Sequence, residues 1–170
     1  MINKDNLKQN KAKDTLILKT HLKALKVVDG DGLTVQNILT NEEFEIRLLG
    51  IDAPEIKKCA KLKQDERETH LPGALLMQLG FMSFKFMIEL IPPNTNITLL
   101  QESKQMQDKY NRQLAYVVLP DGRILNEIMI EQGYAKPYNK FFCSELGNYQ
   151  KLYQMARKSK KGLHKISSKF

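Results

Sequence analysis

The chain has 170 residues, 42% of them apolar and 27% charged, with a formal net charge of +8 and a pI near 9.4. That length and balance suit one compact domain with its own core and exclude a disordered chain, and no apolar run approaches the ~18 residues that span a bilayer, so no membrane role is expected. The excess of positive charge favours a polyanionic partner such as nucleic acid.

The opening residues, "MINKDNLKQNKAKD", read as a polar arm over 1–14. They lack the apolar stretch of a secretory signal, so the chain as it stands reads as cytoplasmic, with secretion or a periplasmic site requiring a leader already removed. Cys59 and Cys143 are too few for a zinc site without other ligands, and a single disulfide and two free thiols both fit them.

One domain is expected over 15–166, with a tail at 167–170. "TLILKTHLKALKVV" mixes leucine and β-branched residues with partial alternation and predicts a long first strand. "LTVQNIL" and "EEFEIRLLGI" predict the second and third, joined by a turn at "TNEE". Residues 56–72, "IKKCAKLKQDERETHLP", are so highly charged that they read as a long loop. "GALLMQLGFMSFKFMIEL" then repeats apolar residues at helical spacing through Leu75, Leu76, Leu79, Met82, Phe86 and Leu90. Pro92 and Pro93 end that helix. "NITLLQES" and "RQLAYVVL" predict a fourth and a fifth strand. A second helix puts Leu125, Ile128 and Met129 on one face and stops at Gly133. A third, within "SELGNYQKLYQMARKSKKG", turns Leu146, Tyr149, Leu152, Tyr153 and Ala156 inward, ends on a basic turn and closes at Gly162. Five short strands with three inserted or appended α-helices predict a mainly β, α+β domain built on a five-stranded OB-fold barrel.

Two acidic stretches carry chemistry. Asp29-Gly30-Asp31-Gly32 is a tight turn whose glycines let carboxylates converge. It opens like an EF-hand loop but fails that pattern, with Leu33 and Thr40 where oxygen ligands are needed. As a bare fold element it is an Asp-Gly hairpin turn. Asp52-Ala53-Pro54-Glu55 ends a strand, since Pro54 biases Ala53 away from the helical region and fixes the direction of the flanking carboxylates. Strand alternation puts Ile46 and Leu48 on one face and Arg47, Leu49 and Ile51 on the other, so Arg47 points to solvent or to a polar site. Arg112 opens a strand just after a turn over Asp108 to Asn111. Taken together, Asp31, Asp52 and a backbone carbonyl supply hard oxygens for a divalent cation. Two arginines suit a phosphodiester, and Glu55 can deprotonate water.

The segments "VVDGDGLTV", "IRLLGIDAPE", "DKYNRQLAYVVLPDGRILNEIMIEQGYAK" and "ARKSKKGLH" closely resemble the staphylococcal nuclease (thermonuclease) family, in the family's order and over most of the chain. The resemblance implies a Ca2+-dependent hydrolase that cleaves DNA and RNA at the P–O5′ bond and leaves 3′-phosphate ends. It implies that Asp31, Asp52 and the Ala53 carbonyl hold Ca2+, that Asp29 is the acid beside the metal, that Glu55 is the general base, and that Arg47 and Arg112 bind the phosphate. Lys109 and Tyr110 fall where the family contacts a nucleotide's terminal phosphate, and Tyr138 is assigned to base stacking. The sequence departs from the family at Ala53, where the best-known member has threonine but the ligand is backbone. It departs again at Asn111, where glycine is usual and asparagine tolerates a left-handed turn. Gly32-Leu33 adds a residue to the acidic turn, the 56–72 loop is longer, and Cys59 is not a general feature. The alternative reading is a non-catalytic nucleic-acid-binding OB-fold module, since fold alone does not fix function. No obligate protein partner is evident, and a monomer is expected.

Overall fold

The structure, a computed structural model, describes residues 15–170; the arm expected at 1–14 lies outside the described residues. Strands β1 (Leu16–Asp29), β2 (Gly32–Asn37), β3 (Glu43–Leu48), β5 (Asn96–Glu102) and β6 (Gln113–Val118) close a barrel in the order β1-β2-β3-β6-β5. One long strand makes closure feasible. The first half of β1 pairs with β5 and the second half with β2, and irregularities between Lys19 and Leu22, Ala24 and Lys26, and Val27 and Asp29 bend it between its two partners. Such bulges add local twist and let a sheet curl. β3 and β6 run parallel, placing Arg47 opposite Leu114, while the other barrel pairs are antiparallel. The barrel interior is filled by Leu22, Leu33, Val35, Ile46, Leu48 and Leu99, all buried. The OB-type barrel expected from the sequence is therefore present.

Two short strands, β4 (Ile51–Asp52) and β7 (Lys136–Pro137), pair outside the barrel, with Asp52 opposite Lys136. The expected alternation of β3 holds only as far as Leu48. Gly50 then turns the chain at φ 77°, and a side chain there would meet the Cys143 sulfur at 2.4 Å. Leu49 and Ile51 are consequently both buried.

The main correction concerns the helices. Three were expected; the described residues contain four α-helices, α1 (Ala60–Thr69), α2 (Gly73–Leu90), α3 (Leu125–Glu131) and α4 (Leu146–Lys158), and a 3-10 turn at Gly162–Lys165. The new one, α1, lies in the segment expected to be a loop. Its charged residues are mostly good helix formers. The Cys59 sulfur caps its N-terminus by accepting from the Leu62 N–H at 3.4 Å, and His70 ends it in the left-handed conformation. Only Leu62, Asp65 and Thr69 face inward, a stripe too narrow and too polar to register as periodic hydrophobicity. Glu66 accepts the Gly73 N–H at 2.7 Å and so ties α1 to the start of α2.

By length and composition α2 could cross a membrane. Here it is a core helix, with Leu76, Leu79, Gly80, Ser83 and Met87 buried and Ser83 Oγ donating to the Tyr134 carbonyl at 2.6 Å. Gly80 matters to the site: a side chain there would lie 2.7 Å from the carbonyl oxygens of both Pro54 and Glu55. Its absence lets α2 press against the acidic loop. In α4, Tyr149 and Ala156 are buried while Leu146, Leu152 and Tyr153 pack at the core margin. Both cysteines are free, Cys59 exposed and Cys143 buried.

Candidate active site

The β1–β2 turn brings Asp31 beside β3, because the Asp31 carbonyl accepts the Leu48 N–H at 2.8 Å. Arg47, on the outer side of β3, is buried between two acids. Its Nη1 donates to Asp31 Oδ1 at 2.8 Å and its Nη2 to Asp52 Oδ1 at 3.0 Å. The other Asp31 oxygen accepts the Ala53 N–H at 3.0 Å, which fixes the strand end carrying Asp52 against the turn carrying Asp31. Asp29 accepts the Asp31 N–H at 3.2 Å and so braces the turn from behind.

Charge is unevenly balanced in this nest. Burial, only partly offset by Arg47 and reinforced by Asp29 and Asp52, pushes the Asp31 carboxyl up to about 7. Arg47 is itself desolvated, but Asp31 and Asp52 outweigh that and strengthen its hold on its proton. Asp31 and Asp52 share the single guanidinium of Arg47, so further positive charge beside them is favoured.

A residue the sequence reading missed supplies some of that charge. Lys61, from the first turn of α1, extends its ammonium to within 3.1 Å of Asp52 Oδ1, 3.2 Å of Glu55 Oε1, 3.3 Å of Asp65 Oδ2 and 3.5 Å of the Ala53 carbonyl. Burial works against this charge, but Asp52, Glu55 and Asp65 overcome it and raise the lysine pKa. Lys136 stands 4.0 Å from the second Asp52 oxygen. The Lys61 and Asp65 pair at i, i+4 is a signal visible in sequence once residues 60–69 are taken as a helix.

Among the expected residues, Asp31, Arg47, Asp52, Ala53 and Glu55 thus form one cluster with Asp29 behind it. Tyr138 joins them, its ring centre 5.2 Å from the Arg47 guanidinium carbon. Arg112 does not share this cluster's contacts. It immediately precedes β6, two residues before the register partner of Arg47, and its side chain is held by Asp108 Oδ2 through Nε and Nη2, both at 2.8 Å. Asp108 also accepts the N–H groups of Tyr110 and Arg112, and these bonds keep its carboxyl below the usual range although burial works the other way. Asn111 takes the expected left-handed conformation, φ 62°. Tyr110 is exposed, with Lys109 Nζ 4.9 Å and the Arg112 guanidinium carbon 5.6 Å from its ring centre. The surface groove bounded by His21, Ile38, Asn96 and Pro120 lies elsewhere and is lined by no carboxylate.

The model of the staphylococcal nuclease homologue family matches residues 45–165. The chain belongs to the staphylococcal nuclease family. The matched span includes Arg47, Asp52, Glu55 and Arg112, while the Asp29–Gly32 turn precedes it. The chain is 32% identical over 126 residues to an uncharacterized protein of Methanocaldococcus jannaschii, covering 68% of this chain and 58% of that protein. It is 30% identical over 144 residues to an uncharacterized endonuclease of Escherichia coli, covering 84% and 76%. Endonuclease YhcR of Bacillus subtilis is 25% identical over 141 residues, 81% of this chain and 11% of that much longer protein. The family match takes in the acidic loop, the four helices and strands β4 to β7, and begins after β2. The chain spans just over half of the archaeal relative and a small part of YhcR.

Proposed function

We propose that the protein is a Ca2+-dependent nuclease that hydrolyses phosphodiester bonds of DNA and RNA and releases 3′-phosphate ends. The observation that carries this reading is the buried guanidinium of Arg47, held between Asp31 and Asp52 at the mouth of the loop that bears Glu55. A guanidinium has five N–H donors in a planar fork that matches phosphate oxygens as well as carboxylates, so an arginine held at this acidic loop suits a phosphate that arrives with its own cation.

The donor set fits Ca2+ in kind. Asp31, Asp52, Glu55 and the Ala53 carbonyl offer hard oxygens only, and a protein cation, Lys61, already sits among three of these groups. Among the described residues no three acidic, histidine or cysteine side chains converge as a ready metal cage. Asp31 and Asp52 are turned onto Arg47, and Asp52 and Glu55 onto Lys61. Asp31, Asp52 and the Ala53 carbonyl would hold the ion once these side chains turn from their present partners. When bound, it lends positive charge to the phosphate under attack.

The residues of the chain do the rest. Glu55 takes a proton from the attacking water. Arg47 turns a guanidinium edge from the carboxylates to the phosphate oxygens, where negative charge builds during attack. Arg112, aimed by Asp108, supports the oxygen side on which the 5′-oxygen leaves. Tyr138, lying over Arg47, offers a flat surface for a base, and Lys109 with Tyr110 meets a terminal phosphate.

The test is cleavage of single- and double-stranded DNA and of RNA by the purified protein, with Ca2+, with other divalent ions, and with EDTA, followed by end-group analysis of the products. Cleavage with Ca2+ that EDTA abolishes, leaving 3′-phosphates, supports the reading. Binding of nucleic acid without cleavage under any divalent ion makes the protein a binding module instead.

A further inference from the structure

The ammonium of Lys61 stands among Asp52, Glu55 and the Ala53 carbonyl, which are the groups assigned above to the cation and to the base. We propose that Lys61 is a tethered counter-cation of this site, which a divalent ion must displace on binding, so that this lysine sets the protein's metal affinity. The inference rests on the nuclease reading only for the identity of the metal-binding groups.

Three observations support it. First, the geometry is that of a competitor. An ammonium has three N–H donors, yet four oxygens from four different residues surround this one at 3.1 to 3.5 Å. Ca2+ sits 2.3–2.6 Å from such oxygens, so an ion held by Asp52 and the Ala53 carbonyl would lie close to the lysine nitrogen, and two cations repel at that range.

Second, the position of Lys61 works against its own helix. It lies in the first turn of α1, which carries no acidic residue, at the end where the helix dipole is positive. A lysine there is held by what it reaches rather than by its helix, and it reaches the site. Cys59 at the cap, buried Leu62 and the Glu66 bond to Gly73 fix α1 in place, so the lysine is presented to the site by an ordered element.

Third, the lysine has somewhere to go. Asp65, one turn along α1 and largely buried, already shares the ammonium at 3.3 Å. Displaced from Asp52 and Glu55, Lys61 retains this partner through a change in its own side-chain torsions. The same movement frees Glu55 Oε1, so arrival of the ion and release of the base occur together. A carboxylate cluster held by an internal cation also stays assembled without metal.

The experiment measures binding, not cleavage. Ca2+ is titrated calorimetrically into the wild type and into Lys61→Met and Lys61→Arg. Lys61→Met is expected to bind Ca2+ at least tenfold more tightly, to melt lower than the wild type in EDTA, and to gain more from added Ca2+. Lys61→Arg is expected to stay within about threefold of the wild type. In the unmodified protein, acetylation of Lys61 by an amine-reactive ester, read by mass spectrometry against Lys57 and Lys63, is expected to rise several-fold on adding Ca2+. Equal or weaker Ca2+ affinity in Lys61→Met overturns the proposal, as does labelling of Lys61 that ignores Ca2+ or failure of the wild type to bind Ca2+ at all. None of these readouts uses nucleic acid. A wild type that cuts DNA while Lys61→Met binds Ca2+ no better overturns this inference alone, and tighter binding in a protein that never cuts overturns only the nuclease reading.

Discussion

The guanidinium of Arg47 lies 5.2 Å from the centre of the Tyr138 ring, with Asp31 and Asp52 gripping its nitrogens from the edge. One residue comes from the barrel and the other from the segment just beyond β7. The backbone bond from the Tyr138 N–H to the Gly50 carbonyl, 2.8 Å, holds the two segments in step. A ring placed there sorts the contacts of an incoming strand: phosphate to the arginine, base to the tyrosine. Tyr138→Ala is expected to weaken binding of a single-stranded oligonucleotide about tenfold, in line with the ~1–3 kcal/mol of base–aromatic stacking. Tyr138→Phe keeps the ring and should stay within about twofold. Fluorescence anisotropy with a labelled oligonucleotide reads both.

The Glu55 carboxylate is tied to Lys61 and, among the described residues, to no group of the barrel. Glu55→Gln is therefore expected to leave the melting temperature within a few degrees and oligonucleotide affinity little changed. Turnover should fall about 10²- to 10⁴-fold, the usual contribution of a positioned base. Full activity in this variant would remove Glu55 from the mechanism.

Arg47→Ala leaves Asp31 and Asp52 facing each other in a buried setting without their shared cation. Removing one partner of a buried ion pair costs on the order of 3–5 kcal/mol. Urea denaturation in EDTA should show a loss of that size. Added Ca2+ should return part of it, because the ion binds the folded state and replaces the missing charge. A variant as stable as the wild type in EDTA would mean that Asp31 takes up a proton and Lys61 suffices for Asp52.

His164 gives a pH dependence with a definite sign. Its ring packs between Tyr153 and Phe170, and neither ring nitrogen has a hydrogen-bond partner among the described residues. Burial, helped by Arg157, holds its pKa below the usual histidine range. Below about pH 6.5 the unfolded chain then takes up a proton that the folded protein refuses. The stability tied to His164 is present at neutral pH and lost as pH falls through that range. Asp31 works in the opposite direction: raised to about 7, its carboxyl binds a proton in the folded state where the unfolded chain has released it, so its contribution falls as pH rises towards neutrality. Comparing the wild type with His164→Leu isolates the histidine. The variant's advantage in denaturation midpoint is expected to grow as pH drops from 7 to 5; a constant difference would place the ring in contact with solvent.

Much of this arrangement is legible along the chain because local rules fix it. Gly30 and Gly32 mark the acidic turn, Pro54 separates Asp52 from Glu55, and Arg47 breaks an otherwise apolar strand. Each of those signals lies within a few residues of its effect. What stays hidden depends on distant contacts. The helix α1 looks like a loop because Leu62 is almost the only apolar residue it buries, and its inward stripe is completed by Asp65 and Thr69. Misreading that segment conceals Lys61, whose partners Asp52 and Ala53 sit across the loop from it. Glu102 is a second case. It is fully buried at the end of β5 and accepts from the Tyr116 hydroxyl and from both the N–H and hydroxyl of Ser144, bonds that no spacing in the sequence announces.

The two free cysteines differ in a way that offers a practical handle. Cys143 is buried against Gly50 and the Tyr116 hydroxyl, whereas Cys59 is exposed at the first turn of α1, two residues before Lys61. A thiol-reactive fluorophore would label the native sequence at one place without any engineered site. That place is the cap of the helix that carries the internal cation, so the dye would act as a spectroscopic gauge of how α1 responds when the charge in front of it changes.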